Sequence, residues 1–154
     1  QWTDANRHFT RFIQKNYPVW MKGPDRPVMS PDVLPLFVEN HIENNNKVVL
    51  ILMDCLRADQ LKAMKGQLSQ FFHLKTEYGL SILPTATPYS RNAIFSGYFP
   101  YELQEKYPDL WIDMWKNEKS MNQFEEKFLK DYLIKYRFQY EEFTDSIMAH
   151  HYGL

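Results

Sequence analysis

The chain has 154 residues, of which 44% are hydrophobic and 24% charged, with a formal net charge of -1. A chain of this length buries a real core, and one α/β domain is the natural expectation. The charge balance gives no global electrostatic argument for binding nucleic acid or an anionic membrane. The single cysteine, Cys55, excludes an internal disulfide and fits a reducing compartment, so we expect a cytoplasmic protein.

Helix signals flank a proline-rich segment in residues 1–46. A short amphipathic helix is expected to end before Pro18, and the prolines that follow favour an extended connector. A second helix is predicted from Pro31 to about Glu43. We therefore expect this region to pack as a helix, a connector and a helix on a domain formed by residues 47–154. Since the sequence starts at Gln1 without a signal-peptide pattern, we expect a piece of a longer protein.

An uninterrupted apolar run extends from Val48 to Met53 and is followed directly by Asp54. The run is too short to cross a membrane and lacks the alternation of a half-exposed strand, so it predicts a central strand of a parallel sheet. Ligands of open α/β sheets bind beyond the carboxyl ends of the strands. Asp54 is therefore a candidate site residue.

A crossover helix is predicted from Asp59 to about Thr76, with an interruption at Gly66. It leads to a second strand over Leu80 to Leu83. A right-handed crossover would place the two strands side by side. Asp54 and Thr87 are then expected at the same edge of the sheet.

The rest of the chain predicts two further helices and an ambiguous tail. Ser90 to Ser96 fits a short helix that Gly97 ends. A second helix is expected from Ser120, which starts a capping-box pattern, to Tyr136. Residues 138–154 fit either a strand or a helix, and the pattern leaves both open.

The order of these features resembles the alkaline phosphatase superfamily. The resemblance is carried by the apolar strand that ends in Asp54, by the Pro-Thr-x-Thr sequence that ends in Thr87, and by Ser96-Gly97 beyond it. Within that superfamily the chain resembles the PglZ branch, particularly the C-terminal part of PorX-type response regulators of type IX secretion. This implies a three-layer α/β sandwich with a mostly parallel sheet, of which the chain would be the N-terminal half.

The resemblance also implies a metal-dependent phosphoesterase, more specifically a phosphodiesterase, with zinc as the metal and two ions in the intact domain. Asp54 would be a metal ligand, and Thr87 would be both a ligand and the nucleophile. Coordination is needed because a free threonine hydroxyl is very weakly acidic at neutral pH. Arg91 and Asn92, in the first turn of the helix after Thr87, are candidates for binding the substrate phosphate.

The chain departs from the superfamily in its supply of metal ligands. Two-metal members take further Asp and His ligands from the second half of the domain, commonly an Asp-His pair. Here no Asp-His dipeptide occurs, and the histidines after Thr87 are His150 and His151. The zinc site is therefore incomplete, and we expect the chain by itself to be inactive.

Two other interpretations follow from the same residues. A receiver domain would use Asp54 as phosphoacceptor, but no acidic pair precedes it in a strand, so a receiver is expected upstream of residue 1 instead. A non-catalytic interaction module with a PglZ-like fold stays open. The expected partners are a phosphoester substrate and the upstream receiver, with a homodimer left open; a membrane is not expected, nor is nucleic acid beyond nucleotide-type substrates.

Overall fold

The computed structural model describes residues 2–111 and 122–136. Within these ranges, the α-helices are α1 (Trp2–Trp20), α2 (Asn40–Glu43), α3 (Ala58–Leu68), α4 (Thr87–Ser96), α5 (Pro100–Lys106) and α6 (Glu125–Lys135). A 3-10 turn at Ser30–Asp32 and a π-helical turn at Pro35–Glu39 lie between α1 and α2. No helix in the described part of the chain has the length and apolar character of a membrane span.

The predicted three-layer sandwich with a mostly parallel sheet is wrong for the described residues, which form helices and no strand. Val49 and Ile51 of the apolar run are 84% and 75% exposed. The second predicted strand contributes a single parallel bridge between Leu80 and Met29. An apolar run supplies side chains for a strand, but the ladder needs the N–H and C=O groups of a neighbour. Among the described segments, none pairs with residues 48–53.

Proline accounts for two of the differences between the predicted and observed helices. α1 continues through Pro18, where a proline in the last turn removes one backbone hydrogen bond without ending the helix. The helix predicted from Pro31 to Glu43 is instead split into the 3-10 turn, the π-helical turn and α2. Pro35 lies at the start of the π-helical turn, where its missing N–H interrupts the α-helical register.

The helix predicted from Asp59 to Thr76 is shorter than expected and is not interrupted at Gly66. The residue after Leu68, Ser69, has its backbone N–H bonded to the Lys65 carbonyl and closes the last turn. Beyond this point the chain is irregular up to the bridge at Leu80.

The helix predicted before Gly97 is confirmed, although it begins earlier, at Thr87. Gly97 adopts φ 70°, and its N–H bonds to the carbonyl of Ala93, which is the left-handed ending typical of glycine. The last predicted helix is observed as α6. Its predicted start at Ser120 lies outside the described residues, as does the tail 138–154.

Helix α4 is central, because it packs against α5, α6 and the 3-10 turn. Two groups of buried side chains surround it. One joins the π-helical turn to α6 and consists of Leu34, Val38, Leu129, Tyr132 and Leu133. The other joins α4 to the start of α5 and consists of Met29, Ile82, Ala93 and Phe99. These contacts fix α4, and with it the position of Thr87.

Candidate functional site

Thr87 and Asp54 lie together in the structure. The Thr87 hydroxyl Oγ1 donates a hydrogen bond to Asp54 Oδ2 at 3.3 Å. The other carboxylate oxygen, Asp54 Oδ1, accepts the backbone N–H of Cys55 at 2.9 Å, in a turn where Cys55 has φ 57°. Asp54 is exposed and Thr87 is half-buried. The pair is therefore accessible from solvent, while its metal-binding and nucleophilic roles stay predictions.

Polar side chains hold the segment that leads to Thr87. The Tyr17 hydroxyl of α1 accepts the Leu83 N–H at 2.7 Å. The Ser30 hydroxyl accepts the Ile82 N–H at 3.2 Å and lies 3.1 Å from the hydroxyl of Ser90 on α4. Since these bonds tie residues 82 and 83 to two other parts of the fold, they restrain the approach of the chain to α4.

The predicted substrate-binding residue Arg91 lies four positions after Thr87 on α4, so the two residues share one face of the helix. Its Nη2 donates to Glu125 Oε2 at 2.5 Å. Glu125 Oε1 in turn accepts from Asn122 Nδ2 at 2.5 Å. The structure thus places Arg91 at the Thr87 end of α4, with a carboxylate of α6 bound to it.

Asn92, the second predicted substrate-binding residue, is placed in the interior and is 4% exposed. The next residue on the same helix, Ala93, belongs to the buried group beside α5. Asn92 therefore lies on the core side of α4, and its predicted contact with a phosphate stays a prediction.

Burial raises the pKa of Glu125, and the attraction of Arg91 opposes this rise. The negative charge of Asp54 also contributes to the higher pKa of Glu125. We call these three charged side chains, together with Thr87, which bonds to Asp54, the α4 site.

A shallow cleft of about 510 Å³ opens beside Asp54. It lies between the end of the apolar run and α3, and its lining residues are Met53, Asp54, Cys55, Leu56, Gln60, Ala63 and Met64. The cleft gives a ligand room to approach the Asp54 carboxylate from the α3 side.

The described residues do not complete a metal site. No group of three or more His, Cys, Asp and Glu side chains in residues 2–111 and 122–136 could hold a metal ion. A catalytic zinc takes three protein ligands, whereas the predicted ligands within the described residues are Asp54 and Thr87. His150 and His151 lie outside the described residues.

Glu125 and Asn122 were not predicted from the sequence as site residues. The contact of Glu125 with Arg91 spans 34 positions of the chain and depends on the packing of α4 against α6, and Asn122 bonds to Glu125. An acidic residue in the first turn of a helix has an ordinary explanation, which is its favourable interaction with the helix dipole. The local sequence therefore contains no signal that links Glu125 to the site.

A family model described as the BREX system PglZ alkaline phosphatase-like domain matches residues 34–151, which is more than half of the chain. The match includes the whole α4 site. A comparison with curated proteins gives no match.

Proposed function

Because the chain belongs to the family of BREX system PglZ alkaline phosphatase-like domains, we propose that it is part of a metal-dependent phosphoesterase that acts on phosphodiesters. Alkaline phosphatase-like domains generally use metal ions. The nucleophile of this proposal is Thr87, and its partner is Asp54.

The observation that supports this function best is the hydrogen bond from Thr87 Oγ1 to Asp54 Oδ2. A nucleophilic hydroxyl needs an adjacent group that accepts its proton and fixes its direction. Thr87 is also the first residue of α4, where the positive end of the helix dipole favours an anionic phosphate. Pro88 has no N–H, so this helix end offers a phosphate one backbone donor fewer.

The reaction we propose forms a bond from Thr87 Oγ to phosphorus while the bond from phosphorus to the leaving group breaks. The leaving group departs with the electron pair of that bond, and the hydroxyl proton passes toward Asp54. Arg91 binds the non-bridging oxygens. Water then attacks phosphorus, the bond from phosphorus to Thr87 Oγ breaks, and a proton of that water restores the threonine hydroxyl. A metal ion bound at Asp54 and Thr87 would supply the acidity that the free Thr87 hydroxyl lacks.

Zinc is the metal of this proposal, with two ions in the intact domain. Asp54 and Thr87 would be two of its ligands, and the others would come from outside residues 2–111 and 122–136. His150 and His151 are the candidate imidazole ligands within this chain. Carboxylate and imidazole ligands suit zinc.

The context we propose is the effector part of a two-component response regulator of the type IX secretion system, with a receiver domain upstream. Its support is the resemblance of the segment from about Lys47 to Pro100 to PorX-type regulators. A receiver in that position would make the protein cytoplasmic.

The test is hydrolysis of a chromogenic phosphodiester by the full-length protein with zinc or manganese present. Thr87→Ala is expected to lower the rate at least about a thousand-fold, because it removes the nucleophile. Thr85→Ala is the matched control, since it removes an exposed hydroxyl two positions away, and it should keep the parental rate. Equal rates for Thr87→Ala and the parent would show that Thr87 is not the nucleophile. An inactive parent would favour the non-catalytic interaction module.

A further inference from the structure

Arg91 is held by a carboxylate that is itself held on both oxygens. Glu125 Oε2 accepts from Arg91 Nη2, and Glu125 Oε1 accepts from Asn122 Nδ2, each at 2.5 Å. The side chains of Arg91 and Glu125 are 28% and 12% exposed, so solvent screens this pair less than a surface pair. A carboxylate fixed in this way restrains the guanidinium through its Nη2.

The other ion pairs of α6 differ from this one. Glu126 pairs with Lys130, and Lys127 pairs with Asp131, each within α6 and each with at least one side chain that is half exposed. Such pairs within one helix contribute little to stability. The pair of Arg91 and Glu125, in contrast, joins α6 to α4.

The guanidinium of Arg91 also has hydrogen-bonding capacity left. Its Nε is buried and has no acceptor among the described residues. Nε itself is closed to solvent, whereas the Arg91 side chain as a whole is 28% exposed, so a ligand oxygen can approach the guanidinium from its open side. Because Arg91 lies four positions after Thr87 on one helix face, an oxygen of a phosphoryl group bound at Thr87 is a suitable acceptor.

We infer that Glu125 is a positioning residue of the α4 site, which holds the Arg91 guanidinium so that its free N–H groups meet the non-bridging oxygens of a phosphoester at Thr87. This inference rests on the proposed function and adds a residue of α6 to it. Glu125 does not touch the substrate; it acts through Arg91, and Asn122 acts through Glu125.

The test uses Glu125→Gln in the full-length protein, with Glu126→Gln as the matched control on the same helix. Two quantities are measured: the hydrolysis of a chromogenic phosphodiester, as kcat and KM separately, and the affinity for inorganic phosphate by calorimetry. Glu125→Gln is expected to raise KM and weaken phosphate binding about tenfold or more, because a misplaced guanidinium loses its contacts to the phosphate. Glu126→Gln should change neither quantity.

A double variant separates positioning from a purely structural role. If Glu125 acts through Arg91, the double variant with Arg91→Ala and Glu125→Gln should bind phosphate as weakly as Arg91→Ala alone, without adding the two losses. Additive losses would contradict the inference. So would parental KM and parental phosphate affinity in Glu125→Gln.

The result also distinguishes the inference from the proposed function. If the parent hydrolyses no diester but binds phosphate, and Glu125→Gln loses that binding, the function is wrong and the inference stands. If the parent hydrolyses the diester and Glu125→Gln keeps its phosphate affinity, the inference is wrong and the function stands. A parent that binds no phosphate would overturn the inference.

Discussion

Thr87 Oγ1 lies 3.3 Å from Asp54 Oδ2, although 33 positions of the chain separate the two residues. The contact joins the end of the apolar run to the first residue of α4. The proposed chemistry depends on this contact, because Asp54 orients the hydroxyl and accepts its proton.

The first prediction concerns the charge of Asp54. Asp54→Asn keeps the shape of the side chain and removes its negative charge, so it should lower phosphodiester hydrolysis at least about a hundredfold. It should also raise the zinc concentration needed for half-maximal activity, because a carboxylate ligand is lost. Asp59→Asn is the control, since Asp59 is exposed and pairs with Arg57 on the same segment. An unchanged zinc requirement in Asp54→Asn would contradict the ligand role.

The second prediction concerns the turn that ends α4. An added Cβ at Gly97 would lie 2.7 Å from Cε2 of the buried Tyr132, and the backbone there has φ 70°. Gly97→Ala should therefore lower the free energy of unfolding by about 2–4 kcal/mol. A urea titration measures this change.

Gly66→Ala is the control for that experiment. A Cβ at Gly66 would have no atom within 4 Å, and the residue lies inside α3. Alanine favours the helix by about 1 kcal/mol over glycine, so this variant should not be destabilised. Equal losses for the two variants would show that the contact with Tyr132 is not the cause.

The third prediction concerns stability at high pH. Burial raises the pKa of Tyr107 to about 12, and the hydrogen bond with Asp131 adds to the rise. The pKa of Tyr107 is therefore higher in the folded than in the unfolded chain. Its contribution to the free energy of unfolding is fully present below pH 10 and is lost as the pH rises toward 12.

Tyr107→Phe tests this pH dependence, because phenylalanine removes the hydroxyl and keeps the ring. The centroid of that ring lies 5.2 Å from the centroid of the Phe128 ring. Above pH 10 the free energy of unfolding should fall less steeply with pH in this variant. The difference in slope should correspond to at most about one bound proton. Identical slopes in the variant and the parent would contradict the prediction. Thermal unfolding at several alkaline pH values measures both slopes.

The fourth prediction concerns metal binding by residues 1–154 alone. We expect this chain to be inactive and to bind zinc weakly in calorimetry, beside a full-length protein that binds it tightly. The reason is that Asp54 and Thr87 offer fewer donors than a catalytic zinc needs. Tight stoichiometric binding that survives Asp54→Ala would instead indicate ligands elsewhere, with His150 and His151 as the first to test.

Local signals in the sequence predicted α4 and its ending, because a left-handed glycine determines where a helix stops. The sheet could not be predicted in the same way. The run from Val48 to Met53 has the composition of a covered strand, yet its pairing depends on segments distant in sequence. The described residues provide none beside it, so the prediction from composition was wrong.

In the candidate site, too, residues of a local sequence pattern could be predicted, whereas a residue brought in by packing could not. The order of Asp54 and Thr87 in a family-like pattern was sufficient to select these residues, which the structure brings together. Glu125 could not be selected, because its contact with Arg91 depends on how α6 packs on α4. Position along the chain carries no information about such a contact.

Detection of a covalent intermediate on Thr87 would test directly whether this residue is the nucleophile. The full-length protein with zinc would be mixed with a chromogenic phosphodiester, quenched in acid within one turnover and examined by peptide mass spectrometry. We expect a substituted phosphoryl group on the peptide that contains Thr87. This group should be absent in Thr87→Ala and present in Thr85→Ala. Hydrolysis by the parent with an unmodified Thr87 peptide, or with the group on another residue, would contradict it.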